Sequence, residues 1–318
     1  MRRVWPIFFL LLLGLPRGGS ARPTTTGVVM SGKSCPDTNV TASLERHLAG
    51  GLAPHHQVAA SVARVRARRA LEEARRLYTQ TNFAGCISLL SISELELSRS
   101  LADADPALQL RAHQLLAKVN LWLGICQWAA GEPHAAEQAF YRSAQLPLSP
   151  SPDPKLLPPG LIAAHRKAVA QPREDVTCKL EAPLAAEHLQ VDGRGPTVSG
   201  GNLKVAGGAH YLVIRVACAD RGDTQCTALQ RLVGPGGLRS LRLEASSMRC
   251  RVQLPGVLVR SRITCINPRE AQDPAFVAGV TKETRAGGTL VVDVAGDRLA
   301  MRMHTVGSES FRHQLVSN

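Results

Sequence analysis

Aromatic side chains make up only 4% of the 318 residues, and nowhere do they alternate with lysine and arginine. A surface that stacks bases needs that interleaving, so nucleic acid is not expected as a partner. Metal-ligand spacing is missing as well. The ten histidines are scattered, and there is no HExxH, no clustered CxxC and no close Cys-His set. No GxSxG nucleophile elbow occurs. Glu94 with Glu96, and Asp103 with Asp105, read as solvated surface carboxylates. Ser308, Ser310 and His313 sit in a tail with few apolar residues to hold a nucleophile and its base. No catalytic, cofactor-binding or metal-ligating residue is assigned, and the chain is expected not to be an enzyme.

Beyond the N-terminus no segment approaches the roughly 18 consecutive apolar residues of a membrane span. The start is distinctive. Met1-Arg2-Arg3 precedes an apolar run from Val4 to Leu15, and Gly19-Ser20-Ala21 supplies small residues for cleavage, so residues 1–21 read as a signal peptide. A retained anchor is the alternative. Export to the periplasm or cell envelope makes the eight cysteines candidates for disulfides, since the count is even and the compartment oxidising. The formal charge of +13 favours anionic partners in general, such as an envelope surface, without naming one.

Residues 22–40 are rich in Thr, Gly and Ser and read as a flexible lead-in. Within them Gly27 to Ser34 satisfies the phosphate-loop pattern GxxxxGK[ST]. No buried strand is read into Gly27, and Cys35-Pro36-Asp37 follows where a helix is required, so the pattern is taken as coincidence and ATP is not expected.

Helical signals run from about Thr41 to Ala170. A short helix is expected near Leu44 and Leu48, then a longer one from Pro54 to about Gln80. Arg64, Arg66, Arg68, Arg69, Arg75 and Arg76 crowd that longer helix. They read either as an anionic docking face or, in preference, as a solvated face balanced by Glu72 and Glu73. Asp105-Pro106 opens a helix reaching Ala130, Gly131 marks a turn, and Pro147 closes the helix that follows. A proline-rich extended stretch, Pro147 to Pro159, leads to a capping helix from Leu161 to Ala170.

The spacing of Leu123-Gly124 to Ala136 and Phe140 resembles the tetratricopeptide repeat, and Ala74, Cys86 and Leu90 align with a weaker copy. The resemblance implies a helical-repeat domain over 41–171 whose groove binds a protein partner. Lys118, Asn120 and Gln127 are the polar residues it suggests for that groove, although Asn120 and Gln127 stand where the family prefers aromatics.

From about Pro172 the periodicity changes to short alternating strands. His188 to Gly193, Leu203 to Val205, and the Gly207 to His210 turn leading into Tyr211 to Val216 together resemble the PEGA domain, a small β-sandwich, over 176–246. Residues 247–318 read as a small α/β region. The fold class is therefore α+β multidomain. Closeness in sequence suggests the pairs Cys218–Cys226 and Cys250–Cys265, and the helical stack suggests Cys86–Cys126. The function these features imply is a non-catalytic bacterial envelope scaffold. The alternatives are a module for cell-wall glycan or anionic lipid, or an exported hydrolase with a dispersed active site.

Overall fold

The computed structural model describes residues 26–32, 55–99, 101, 106–172, 175–180, 189–195, 197–199, 202–206, 210–217, 225–232, 250–252, 264–295, 298–305 and 312–317. In chain order the elements are β1 (Thr26–Gly32), α1 (His55–Thr79), α2 (Phe83–Arg99), α3 (Pro106–Ala129), α4 (Pro133–Gln145) and α5 (Pro159–Ala170). Strands β2 (Asp175–Leu180), β3 (Leu189–Val191), β4 (Thr197–Ser199), β5 (Asn202–Ala206), β6 (His210–Ala217), β7 (Gln225–Leu232), β8 (Cys250–Val252) and β9 (Thr264–Ile266) follow. The chain closes with α6 (Pro268–Gln272), α7 (Pro274–Thr284), β10 (Gly288–Ala295), β11 (Arg298–Thr305) and β12 (Arg312–Ser317). The fold is α+β, in two units: Met1–Val65 with Arg260–Asn318, and Arg66–Val259.

The first unit is discontinuous in sequence, and its sheet shows why. The strand order is β12-β11-β10-β1-β9, so β1 lies between two C-terminal strands and runs parallel to both. Val28 stands opposite Leu290 and Val29 opposite Val291. Val28, Val29 and Met30 are all buried, the pattern of a strand covered on both faces. This corrects two expectations. The lead-in over 22–40 contains a core strand, and the C-terminal α/β region is completed by it. The Gly27 to Ser34 pattern is corrected in its context too: Gly27 to Gly32 is extended strand, whereas a phosphate site needs those amides in a loop at a helix start.

Val58, Val62 and Val65 from the start of α1 join Phe276, Val277 and Val280 of α7 and Val29 and Val291 of the sheet in one apolar core. α7 begins where Asp273 accepts from the backbone N–H groups of Ala275 and Phe276 at 2.9 and 3.2 Å, with Pro274 in its first turn. Arg64 is fully buried in this unit. Its Nε donates to Glu283 Oε2 at 2.9 Å and its Nη2 to Ser61 Oγ at 3.0 Å. Arg64 is thus an internal ion-pair member and not part of a surface stripe.

In the second unit, two helix-turn-helix connections repeat at the offset that separates Ala74 from Gly124. After α1, the Asn82 N–H reaches Leu77 O and the Thr81 N–H reaches Tyr78 O, with Thr81 at φ 56°. After α3, the Glu132 N–H reaches Gln127 O and the Gly131 N–H reaches Trp128 O, with Gly131 at φ 81°. Both are Schellman closures, which need one left-handed residue. The core they organise contains Ala67, Leu71 and Ala74 of α1, Cys86, Leu90 and Leu97 of α2, and Leu116, Val119 and Leu123 of α3. α5 joins α3 and α4 through a second cluster, in which Leu161 and Ala168 meet Leu121, Ile125, Ala136 and Phe140.

Cys86 and Cys126 are joined by a disulfide, Cα atoms 6.2 Å apart, which ties α2 to α3 inside this core. Cys265 is also disulfide-bonded. The strand register sets Cys250 opposite Cys178 within the sheet β4-β5-β2-β8, while Cys265 lies in the five-stranded sheet. The side chain of Cys250 lies outside the described residues, and with it the expected Cys250–Cys265 pair. The expected Cys218–Cys226 pair and the short helix near Leu44 fall, wholly or through Cys218, outside the described residues.

Helices α3 and α4 approach closely at Gly124, where a Cβ would meet Phe140 ring carbons at 2.6 Å and Ala136 O at 3.1 Å. Neither neighbour is the free end of a flexible chain. Gly124→Ala is therefore expected to lower unfolding free energy by about 1–3 kcal/mol through overpacking, measurable as a lower urea midpoint with an unchanged slope.

Candidate functional site

α3 carries the residues expected to line a groove, and it is buried nearly all round. Its exposed positions are Ala107, Leu110, Arg111 and Lys118, with Gln114 half-buried among them. At three to four residues' spacing these form one narrow stripe. Lys118 belongs to it. Gln127 is half-buried, and its side-chain oxygen is enclosed without a hydrogen-bond partner among the described residues.

Asn120 departs from the expectation. It is fully buried, and its amide nitrogen donates to Leu116 O at 2.9 Å and to the Tyr211 hydroxyl oxygen at 2.8 Å. Its carbonyl oxygen accepts from Arg142 Nε at 2.9 Å. The Tyr211 hydroxyl in turn donates to Glu94, and Arg142 Nε stands 3.6 Å from the same carboxylate. Four elements, α2, α3, α4 and β6, thus meet in one buried polar network. Asn120 is a structural link within it and does not face a groove. The signal was present in the sequence, because a position that a helical repeat fills with an aromatic is an interior position, and a polar residue there needs internal partners.

Tyr211 is placed by a tight turn. Asp192 and Gly193 have φ of 51° and 77°, and Val191 and Arg194 exchange both backbone hydrogen bonds at 2.9 Å. That is the two-residue hairpin turn which Asp-Gly favours. The Asp192 carboxylate then accepts from the Tyr211 N–H at 2.9 Å and pairs with His210 Nδ1 at 2.6 Å, while His210 Nε2 meets Ala206 O at 2.6 Å. Gly193 also permits a close approach, since a Cβ there would lie 2.7 Å from His113 Nε2. His113 Nδ1 contacts Gln109 O at 2.9 Å, and Gln109 itself bonds to Leu101 O and to Gln190 of β3.

The arginine-rich helix resolves into pairs. Arg64 is internal, Arg66 meets Glu96 at 3.2 Å, and Arg76 is paired with Glu73. Arg75 lies over the Trp122 ring, 5.4 Å from its centroid. The expected balance by acidic residues is therefore met for Arg76 by Glu73, and for Arg66 by Glu96 of the next helix.

Among the described residues no group of three or more His, Cys, Asp or Glu side chains converges as metal ligands would, and no helix is long and apolar enough to cross a membrane. One pocket of about 480 Å³ lies against α5, lined by the proline-rich segment that precedes that helix. Comparison with family models, curated proteins and solved structures gave no match for this chain.

Two outcomes follow from this geometry. Tyr211→Phe removes a hydroxyl that both donates to Glu94 and accepts from Asn120, so it is expected to cost about 1–3 kcal/mol by leaving buried polar groups short of a partner. A denaturant titration reads this directly. Burial holds the His113 imidazole below its ordinary 6.5, only partly offset by its bond to Gln109 O and the Asp192 charge. The unfolded chain takes up that proton first, so the stability His113 contributes is present above pH 6.5 and is lost as pH falls through that value. His113→Leu should flatten the decline of melting temperature between about pH 7 and 5.5.

Proposed function

We propose that this chain is an exported, non-catalytic envelope scaffold. Its paired helices act as divergent tetratricopeptide repeats, and its β-rich part as a PEGA-like module that braces them. The partner is a protein, and it docks on the exposed stripe of α3 formed by Leu110, Arg111, Gln114 and Lys118. The observation that carries the reading is the shape of α3 itself. Residues on the other faces of the helix are buried or half-buried, yet Leu110 remains 41% exposed next to Arg111, with Lys118 two turns further along. A stripe with an apolar anchor and a charged rim is what helix-groove recognition uses.

The disulfide between Cys86 and Cys126 suits an oxidising compartment and fixes the helix pair that presents the stripe. The pairing of Arg66 and Arg76 with carboxylates weakens the alternative in which a basic helix holds lipid or glycan. Arg64, once grouped with that surface by spacing, is buried.

A photo-reactive residue in place of Lys118 tests the proposal in the native envelope. The expected outcome is a discrete protein adduct that is absent when the same group replaces exposed Glu132 in the α3–α4 turn. Adducts to glycan or lipid alone, or equal yields at both positions, overturn it.

A further inference from the structure

The end of the helical stack has an outer face that its capping role does not explain. A helix that only seals a stack presents apolar residues inward and polar residues outward. α5 does bury Leu161 and Ala168, and its His165 ring packs edge-on against Phe140 with centroids 5.2 Å apart. Outward, however, Ile162, Val169 and Ala170 line a pocket with Pro152 and Pro154 of the preceding segment, and Val169 is 41% exposed. The same segment leaves Leu148 and Leu156 70% and 72% exposed. Leu148 also has φ 55°, a left-handed conformation that a bulky residue adopts at a cost.

The polar lining has one character. Arg166 is the only charged residue in it, Ser151 adds a hydroxyl, and no carboxylate takes part. His165 lines the pocket too. It is only 8% exposed, and its Nε2 has no hydrogen-bond partner among the described residues. A volume of about 480 Å³ falls inside the range of roughly 300–1,000 Å³ in which ligand sites occur. The pocket is open to solvent between a helix and an extended strap, which fits a chain segment crossing it better than a small molecule, which would need enclosure on most sides. The strap is stiff, since prolines 147, 150, 152, 154, 158 and 159 fix its backbone, and little ordering remains to be done on binding.

We infer that the cleft between α5 and the Ser151 to Pro154 strap binds an extended peptide segment of a partner protein, with an apolar side chain in the pocket and an acidic neighbour against Arg166. This site is separate from the stripe on α3 and stands or falls independently of it.

Selection from a random displayed peptide library, using the full chain with its disulfides intact, tests the inference. The expected consensus pairs a large apolar residue with Asp or Glu. Binding of the selected peptide should weaken by about tenfold or more in Arg166→Glu and in Val169→Glu, through charge reversal and through an acidic group set in an apolar contact. Both positions are exposed, so melting temperatures should not change, and Lys118→Glu should leave this binding intact while affecting the α3 stripe. A basic consensus, no consensus, or binding indifferent to both variants overturns the inference. So does a site sensitive to both variants that takes octanoate or phosphatidylglycerol vesicles but no peptide.

Discussion

The carboxylate of Asp192 is the constraint on which the architecture of the larger unit depends. It sits in a turn whose two central residues need positive φ, and it holds both the backbone of Tyr211 and the ring of His210. With that strand start fixed, the Tyr211 hydroxyl reaches a point between Glu94 and Asn120 that apolar packing alone would not select. Buried polar groups are costly unless every member has a partner, so such a network favours one arrangement of helices and strands over others that bury similar apolar area. Arg142 completes it, since its Nε lies 3.6 Å from the Glu94 carboxylate, of whose side chain only 4% is exposed.

The helices were legible in the sequence because their signals are local. Prolines at positions 106, 133 and 274 stand in first turns, Gly131 supplies a left-handed turn, and the spacing from Gly124 to Ala136 and Phe140 marks a close helix pair that the structure contains. The strands near Leu189, Leu203 and Tyr211 were readable from alternation in the same way. β1 was not. Its partners lie at the far end of the chain, with Ser31 bonded to Asp293 across 262 positions, and no local feature of Thr26 to Gly32 announces a parallel neighbour that distant. The short apolar run Val28 to Met30 is all that such a strand leaves in the sequence, and a glycine-rich pattern around it invited a different reading.

Residue orientation was the second limit. Arg64 and Arg68 are one helical turn apart and look alike as letters, yet Arg64 is interior because Glu283 and Ser61 form its surroundings. Asn120 and Lys118 are two residues apart on α3 and face different media. Helical spacing separates those two faces, but deciding which face is covered requires knowing that a β-strand supplies Tyr211. Of the α3 stripe proposed as a docking surface, Lys118 was readable as a polar helix position, while Leu110 was hidden among the leucines of a helix that is apolar on almost every side.

That same helix bears on how a partner would be held. Because α3 is packed by α2, α4 and the Tyr211 network, and is tied by Cys86–Cys126, the stripe it exposes is carried by a rigid element, and a partner meets a surface already in its bound form. Binding then loses little to reordering of the scaffold, so a small patch with one apolar anchor can suffice where a mobile surface would need more contact. The strap before α5 reaches a similar stiffness by another route, since its prolines restrict φ without hydrogen-bonded pairing. The two surfaces are thus held by different means, one by a polar network with a disulfide and one by backbone restriction.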